Sequence, residues 1–364
     1  MELWPLQVSL ESPRDSDTPL STSHRSSSVN GTREPDGVTF FIIQGLSSLG
    51  DRQMIPFVIL LLGYVIILGG NSMIIFVTLT DPKLHSPMYF FLANFSFVDM
   101  LFTTTTIPKM LAGFLSDVSV ISVPGCFLQL HFFIQLGVTS RAILTVMAYD
   151  RYVAICHPLH YTSIMTRRVQ LLLIAGAWGF STLYPLPVTI FAFLRPYCGL
   201  NVVKHGWCDL SSVRRLACAD TSVDNIVALF FATLSLLIPG VLILTSYVLI
   251  GISISKMGVG QRLKAFSTCA AHLTVVSISF SSISFVYISY RVGNFTLEVQ
   301  APDNLTLIFT CFCLCMSHVC PQKWTFNVIF LMPADLFKLC QTGSIYYQFQ
   351  ISVFKIFKFI TQKN

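Results

Sequence analysis

The sequence predicts an all-α membrane protein, a bundle of apolar helices, and three observations carry that prediction. Of 364 residues, 53% are hydrophobic and only 11% are charged, against about a quarter charged in ordinary globular domains. The mean hydropathy is +0.68. Several apolar runs reach the ~20 residues that a helix needs to cross the hydrocarbon of a bilayer. The net charge of +6 is small for this length and argues against a nucleic-acid partner.

Residues 1–53 read as a polar tail rich in Ser, Pro and charge. Such a segment buries too little apolar surface to offset its ordering entropy. Phe40-Phe41-Ile42-Ile43 is the exception, a candidate strand or docking segment. No basic-plus-apolar leader precedes the first apolar run, so that run is expected to act as the insertion signal. The first helix is expected over Met54–Thr80, with Asn71 as its single strong polar group. The second, over 87–109, carries Asp99 near its middle. The third is expected over 125–152 and the fourth over 169–193, with Trp178 inside it. The fifth, over 223–253, contains Pro239, tolerated in a membrane because neighbours re-satisfy the freed carbonyl. The sixth is expected over 264–290. These helices form a bundle over 54–290; a loop and a divergent seventh segment follow over 291–332, then a tail over 333–364.

Lys and Arg counts near the short loops tie, so charge asymmetry does not orient the bundle. Cysteines do better. Cys126 opens the third helix, and Cys198, Cys208 and Cys218 share the 195–222 loop on the same face. Four cysteines on one aqueous face point to an oxidising compartment. Asn30-Gly-Thr and Asn294-Phe-Thr are glycosylation acceptors on that face, so the N-terminal tail is read as extracellular. Asn94-Phe-Ser has the same pattern but lies within a predicted helix.

The most informative stretch is Met147-Ala-Tyr-Asp-Arg-Tyr-Val-Ala-Ile-Cys156. It sets Asp150 and Arg151 at the end of a long apolar segment, where ionisable groups are rarely idle. Leu84-His-Ser-Pro-Met-Tyr-Phe-Phe-Leu92 joins the first two helices, Ser246-Tyr247 ends the fifth, and Lys264-Ala-Phe-Ser-Thr-Cys-Ala-Ala-His-Leu-Thr-Val-Val276 opens the sixth. On these motifs, taken in this order, residues 40–290 resemble the olfactory (odorant) receptors, a family of rhodopsin-like (class A) G-protein-coupled receptors. The resemblance implies a seven-transmembrane helix bundle, with six clear helices and a divergent seventh. It implies a plasma-membrane receptor for a small volatile odorant that acts through a stimulatory, olfactory-type heterotrimeric G protein. No enzymatic chemistry, cofactor or metal is expected. It also implies the bridges Cys126–Cys208 and Cys198–Cys218, where spacing alone leaves all three pairings open.

The same resemblance assigns roles. Asp150 would hold Arg151 at rest beside Tyr152, and opening of the sixth helix would free Arg151 toward the G protein, with Tyr247 stabilising it there. The bland alternatives are a snorkelling interfacial pair and a packing tyrosine. By helical spacing, Phe133, Gly137 and Val138 face inward with Phe231, Ser235, Ser279, Phe280 and Ser282. That lining is apolar with a few hydroxyls, as a small apolar ligand requires; plain helix packing is the alternative for each residue. Asp99, facing Asn71, could hold a sodium ion or stand as a protonated, hydrogen-bonded aspartate. Arg141 is expected to pair with Asp99 and displace the cation. His131 and His272 read as packing or interface histidines rather than metal ligands.

Departures from the family pattern are local until Tyr290. Ser140 stands ten positions before Asp150, where the family usually has an acid, and Ser279-Phe280-Ser281 replaces Phe-Tyr-Gly. Beyond Tyr290 the family's Pro-Met-Leu-Asn-Pro-x-Ile-Tyr is missing. Instead comes an apolar run over 305–320 with Cys311, Cys313, Cys315 and Cys320, read as free membrane cysteines, then Pro321-Gln322-Lys323 and a shorter run from Trp324 to Met332. A frameshift or alternative final exon would account for this ending, and comparison of the genomic locus with the transcript tests it. The corresponding alternative function is a non-signalling receptor product retained in the endoplasmic reticulum. A transporter would predict paired half-sequences or helices broken at the midplane, which are not seen. An intramembrane enzyme would need a spacing such as His-Glu-x-x-His or Gly-x-Ser-x-Gly, absent from the helices.

Overall fold

The computed structural model describes residues 38–44, 54–116, 118–199 and 201–258, and within 260–284 it describes Gly260, Ala265, Cys269, Ala270, 272–281 and Ser284. Five of its helices are long and apolar enough to cross a membrane. They are α1 (Met54–Thr80), α2 (Pro87–Phe114), α3 (Val123–Cys156), a fourth span composed of α5 (Arg167–Leu183) and α6 (Leu186–Phe193), and α8 (Ser222–Ser255). Two short helices, α4 (Tyr161–Ile164) and α7 (Leu210–Arg214), lie in the links. A shorter apolar helix, α9 (His272–Ser281), belongs to the sixth predicted span. The divergent seventh segment, Asn30 and Asn294 lie outside the described residues.

Helix ends follow from local chemistry, and they correct several expected boundaries. α3 begins at Val123 because the Ser122 hydroxyl accepts the Gly125 amide at 3.3 Å, with Pro124 in the first turn, where its missing N–H costs nothing. It ends at Cys156, since a residue preceding proline is pushed out of the helical region, and His157 precedes Pro158. α2 runs past Pro108 to Phe114 rather than stopping near Lys109. The fourth span is broken, not continuous. Pro185 has no N–H to donate, and the chain turns at Tyr184-Pro185 between α5 and α6.

The tail segment Phe40–Ile43 is a strand, β1. It pairs antiparallel with β2 (Ser119–Ser122) and parallel with β3 (Val202–Val203), in the order β2-β1-β3. Alternation puts Phe41 and Ile43 inside while Phe40 is exposed. The inner side chains pack with Cys126, Phe127, Leu130, Ala192, Val203, Cys208 and Val213. This small sheet therefore ties the segment before α1, the α2–α3 link and the loop after α6 together at one end of the bundle. The turn into β3 uses Gly199 at φ 83°, a left-handed conformation that glycine adopts without penalty.

Two disulfides close that end. Cys126 in the first turn of α3 is bonded to Cys208, with Cα atoms 5.4 Å apart. Cys198 is bonded to Cys218 across 5.9 Å. Gln129 adds a polar clamp: its amide nitrogen donates to the Thr105 carbonyl at 2.7 Å, and its oxygen accepts the Cys208 amide at 3.2 Å. Deeper in the bundle, Gln135 donates to the Thr182 hydroxyl at 2.8 Å and Thr139 meets the Ser181 hydroxyl at 2.6 Å, pinning α3 to α5. In lipid such interhelical bonds and close packing hold helices together, because lipid tails supply no hydrophobic drive. The outward face of α8 carries exposed Val223, Ile226, Phe230, Leu237, Val241, Leu244, Val248 and Ile252. This helically spaced apolar stripe is one that water would penalise and a bilayer accepts.

A disulfide linking residues 82 positions apart contributes about 4–5 kcal/mol in the chain-entropy description. Cys126→Ser is therefore expected to lower the melting temperature of the detergent-solubilised protein by several degrees. Cys126→Ser/Cys208→Ser should melt close to the single variant; an additive loss would contradict the pairing.

Candidate functional site

At the end of the bundle opposite the sheet, the last two turns of α3 carry a sealed charge cluster. Asp150 is fully buried, and its Oδ2 accepts from Arg151 Nη2 at 2.6 Å and from Nε at 3.1 Å. Its other oxygen accepts the Tyr161 hydroxyl at 2.8 Å. α4 folds back beneath α3 and brings Tyr161 there. A carboxylate so placed has both oxygens satisfied, which a buried charge requires. The Tyr161 phenol is held protonated well above its ordinary range, first by burial and then by the adjacent Asp150 carboxylate. Tyr152 points elsewhere, its hydroxyl 3.3 Å from His157 Nε2.

Among the described residues, Tyr247 of α8 has its side-chain hydrogen bond to His272, not to Arg151. Its hydroxyl lies 2.6 Å from His272 Nδ1, and the imidazole Nε2 lies 3.2 Å from the Leu144 carbonyl of α3. The Nε2–H tautomer satisfies both contacts, with Nε2 donating to Leu144 and Nδ1 accepting from Tyr247. His272 thus bridges α3, α8 and α9. Around it pack Ile250, Ile254 and Cys269 with Tyr152, Ile155, Cys156 and Leu273.

The residues expected to line a pocket divide into groups. Gly137 and Ser235 come together around Arg141. The Arg141 Nη2 is 3.5 Å from Ser235 Oγ, and a Cβ on Gly137 would sit 3.7 Å from Arg141 Nη1 and 3.6 Å from the Phe102 ring. Phe133 instead stacks on Phe102 of α2 at 4.9 Å and lies 5.6 Å from Trp207 of the loop, so it faces α2 rather than α8. Phe231 packs edge-on to Tyr184 at 5.2 Å, and its carbonyl accepts the Tyr184 hydroxyl at 2.5 Å. Val138 is buried. Phe280 packs against the central core and would meet a Cβ on Gly240 at 3.5 Å. Ser279 is half-buried, and Ser282 lies outside the described residues.

The core polar groups also differ from expectation. Among the described residues the ion pairs are Asp150–Arg151 and Arg195–Asp224. Arg141 does not pair with Asp99; α3 turns its guanidinium toward Ser235 on α8. Asn71 is fully buried, its amide donating to the Ile67 carbonyl at 2.9 Å, and Asp99 is buried on α2. Ser140 is half-buried on α3. Near the sheet, Arg195 holds Asp224 through two contacts of 2.8 Å, and the half-buried Tyr197 phenol is pushed up to about 12, first by desolvation. No group of His, Cys, Asp and Glu suited to a metal ion occurs among the described residues.

Sequence reasoning missed Tyr161, Tyr184 and the bridging role of His272. The His157-Pro-Leu-His-Tyr161 stretch carried a usable signal, since a proline just after a helix forces a reversal that returns the next aromatic to the helix end. If His272 links Tyr247 to α3, the effects of Tyr247→Phe and His272→Ala on thermal stability should not add. A double-mutant cycle is expected to leave a coupling of about 1 kcal/mol, and strict additivity would contradict the link.

Comparison with known proteins agrees with this architecture. A family model described as "Olfactory receptor" matches residues 60–321. The human protein named "Olfactory receptor 13C2" is 42% identical over 273 residues, covering 74% of this chain and 86% of its own length. "Olfactory receptor 6C3", also human, is 44% identical over 253 residues, covering 69% of this chain and 81% of its own. Human "Olfactory receptor 2AT4" is 39% identical over 286 residues, covering 76% and 89%. With its multi-pass apolar helices, its disulfide-closed end and these matches, the chain belongs to the olfactory receptor family.

Proposed function

We propose that this chain is an odorant receptor in the plasma membrane, with the disulfide-bearing end outside the cell and the Arg151 end facing a stimulatory G protein. Disulfides form in the oxidising compartments that become the extracellular side, which supports this orientation and makes Asn30 and Asn294 candidate glycan sites. A small volatile ligand enters between α3, α8 and the sixth span. It biases the bundle only by binding one arrangement better than the other.

The observation that carries the reading is the sealed Asp150–Arg151–Tyr161 cluster. A guanidinium at the very end of a span, tied back onto its own helix by a saturated carboxylate, is a charge held away from any partner. Releasing it exposes a five-donor fork suited to the carbonyls or carboxylates of a docking helix. Tyr247, bound to His272, is positioned to change partner when the sixth span moves. In this reading the resting state is stabilised by both links and the active state by neither.

The test is a cyclic-AMP response in cells carrying an N-terminally tagged receptor, with antibody staining of intact cells and a panel of small volatile compounds. Surface staining and a dose-dependent response are expected. Arg151→Gln should abolish the response without loss of surface signal, whereas Tyr161→Phe, which removes one of the bonds to Asp150, should raise ligand-free signalling several-fold. Staining only after permeabilisation, or a full response from Arg151→Gln, would overturn the proposal.

A further inference from the structure

Arg141 is the charge that the resting cluster does not use. It sits in the interior of a 34-residue helix, where an arginine is expensive in a bilayer and so needs a compensating role. Its Nε is sealed from solvent with no hydrogen-bond partner among the described residues. Its interhelical hydrogen bond among the described residues, to Ser235 Oγ, is long at 3.5 Å. Among the described residues no carboxylate forms an ion pair with it; Asp150 and Asp224 are held by Arg151 and Arg195. The titratable group that acts on it electrostatically is the Tyr184 phenol, and that hydroxyl already donates to the Phe231 carbonyl.

Direction matters as much as the missing partner. Side chains on a helix lean toward its N-terminus, and the N-terminus of α3 is the disulfide-bearing end. Arg141 accordingly climbs one turn, its Nη1 lying over Gly137. Glycine there leaves the space above the guanidinium unfilled by a side chain of α3. Phe102 stands at van der Waals distance from a Cβ on Gly137, with Phe133 stacked on its ring, and Phe231 packs separately on Tyr184. The result is an anion-seeking fork with apolar, aromatic side chains near it. Ser235 offers a hydroxyl beside it.

We infer that Arg141, with Ser235, forms the head-group subsite of the ligand pocket and selects a monocarboxylate with an apolar tail. A carboxylate supplies the opposite charge and two acceptors that match the guanidinium in a bidentate pair, while the tail fills the aromatic space. An alcohol or ester of equal length offers one acceptor and no charge. This inference rests on the receptor reading of the bundle, and it deepens that reading by naming a ligand class.

The experiment uses the full chain purified into lipid nanodiscs and follows thermal stabilisation by octanoate, 1-octanol and methyl octanoate at neutral pH. Wild type should be stabilised by octanoate at concentrations roughly ten- to a hundredfold lower than by either neutral probe. Arg141→Gln should abolish that preference, and Arg141→Lys, which keeps charge but not the fork, should retain part of it. Should Arg141→Gln fail to fold, Gly137→Leu keeps the guanidinium but fills the space above it, and is expected to weaken octanoate alone. Equal stabilisation by octanoate and octanol in wild type, a preference surviving Arg141→Gln, or undiminished octanoate binding in Gly137→Leu would overturn the inference. Cyclic-AMP output, read separately, distinguishes the two ideas. Octanoate stabilisation without any cyclic-AMP response contradicts the receptor proposal but not the subsite; responses to neutral odorants without octanoate stabilisation do the reverse.

Discussion

A bilayer offers no water to an ionised side chain, and the placement of charge in this protein follows from that constraint. The chain can carry few charges inside its spans, and an ionised one needs a partner there. Asp150 meets the requirement locally: its neighbour Arg151 and the returning Tyr161 saturate both oxygens. The pair can stand at a span end only because Pro158 reverses the chain and α4 folds back beneath α3. A reversal that looks like a mere link is part of the electrostatic design.

Energetics separates the two ends of the molecule. The sheet end is covalently closed by the Cys126–Cys208 and Cys198–Cys218 bridges and packed around Phe41, Phe127 and Val203. The Arg151 end is held by single hydrogen bonds, Tyr161 to Asp150 and His272 to Leu144, each with a net worth of about 1 kcal/mol or somewhat more where charge assists. An ensemble built this way moves where its links are weak and stays fixed where it is cross-linked. In the proposed function, a ligand-driven shift at the Arg151 end leaves the disulfide end as the frame.

Much of this was legible in the sequence, for physical reasons that can be named. Long apolar runs bounded by polar links specify spans, because a backbone in lipid must satisfy itself, and the five described spans lie where those runs lie. Phe40–Ile43 was readable as a strand from its β-branched and aromatic content. Its partners were not, since strand pairing across 80 to 160 positions leaves no local trace. The break at Tyr184-Pro185 was hidden because proline is tolerated inside membrane helices, as Pro108 and Pro239 show. Side-chain direction was the least legible quantity. Helical periodicity put Phe133 and Gly137 on one inward face, yet the eight residues from Phe133 to Arg141 rotate the helix by a net ~80°, enough for Phe133 to meet α2 while Arg141 meets α8. That same rotation defeated the expected pairing of Arg141 with Asp99.

In the proposed function, Asp150 gripping Arg151 holds the bundle at rest. That role is tested most directly by nucleotide exchange on a stimulatory G protein reconstituted with purified Asp150→Asn receptor in nanodiscs, without ligand. Asparagine keeps the shape and removes the charge. A ligand-free exchange rate clearly above wild type is expected, and a rate equal to wild type in a folded Asp150→Asn protein would rule out that role for Asp150.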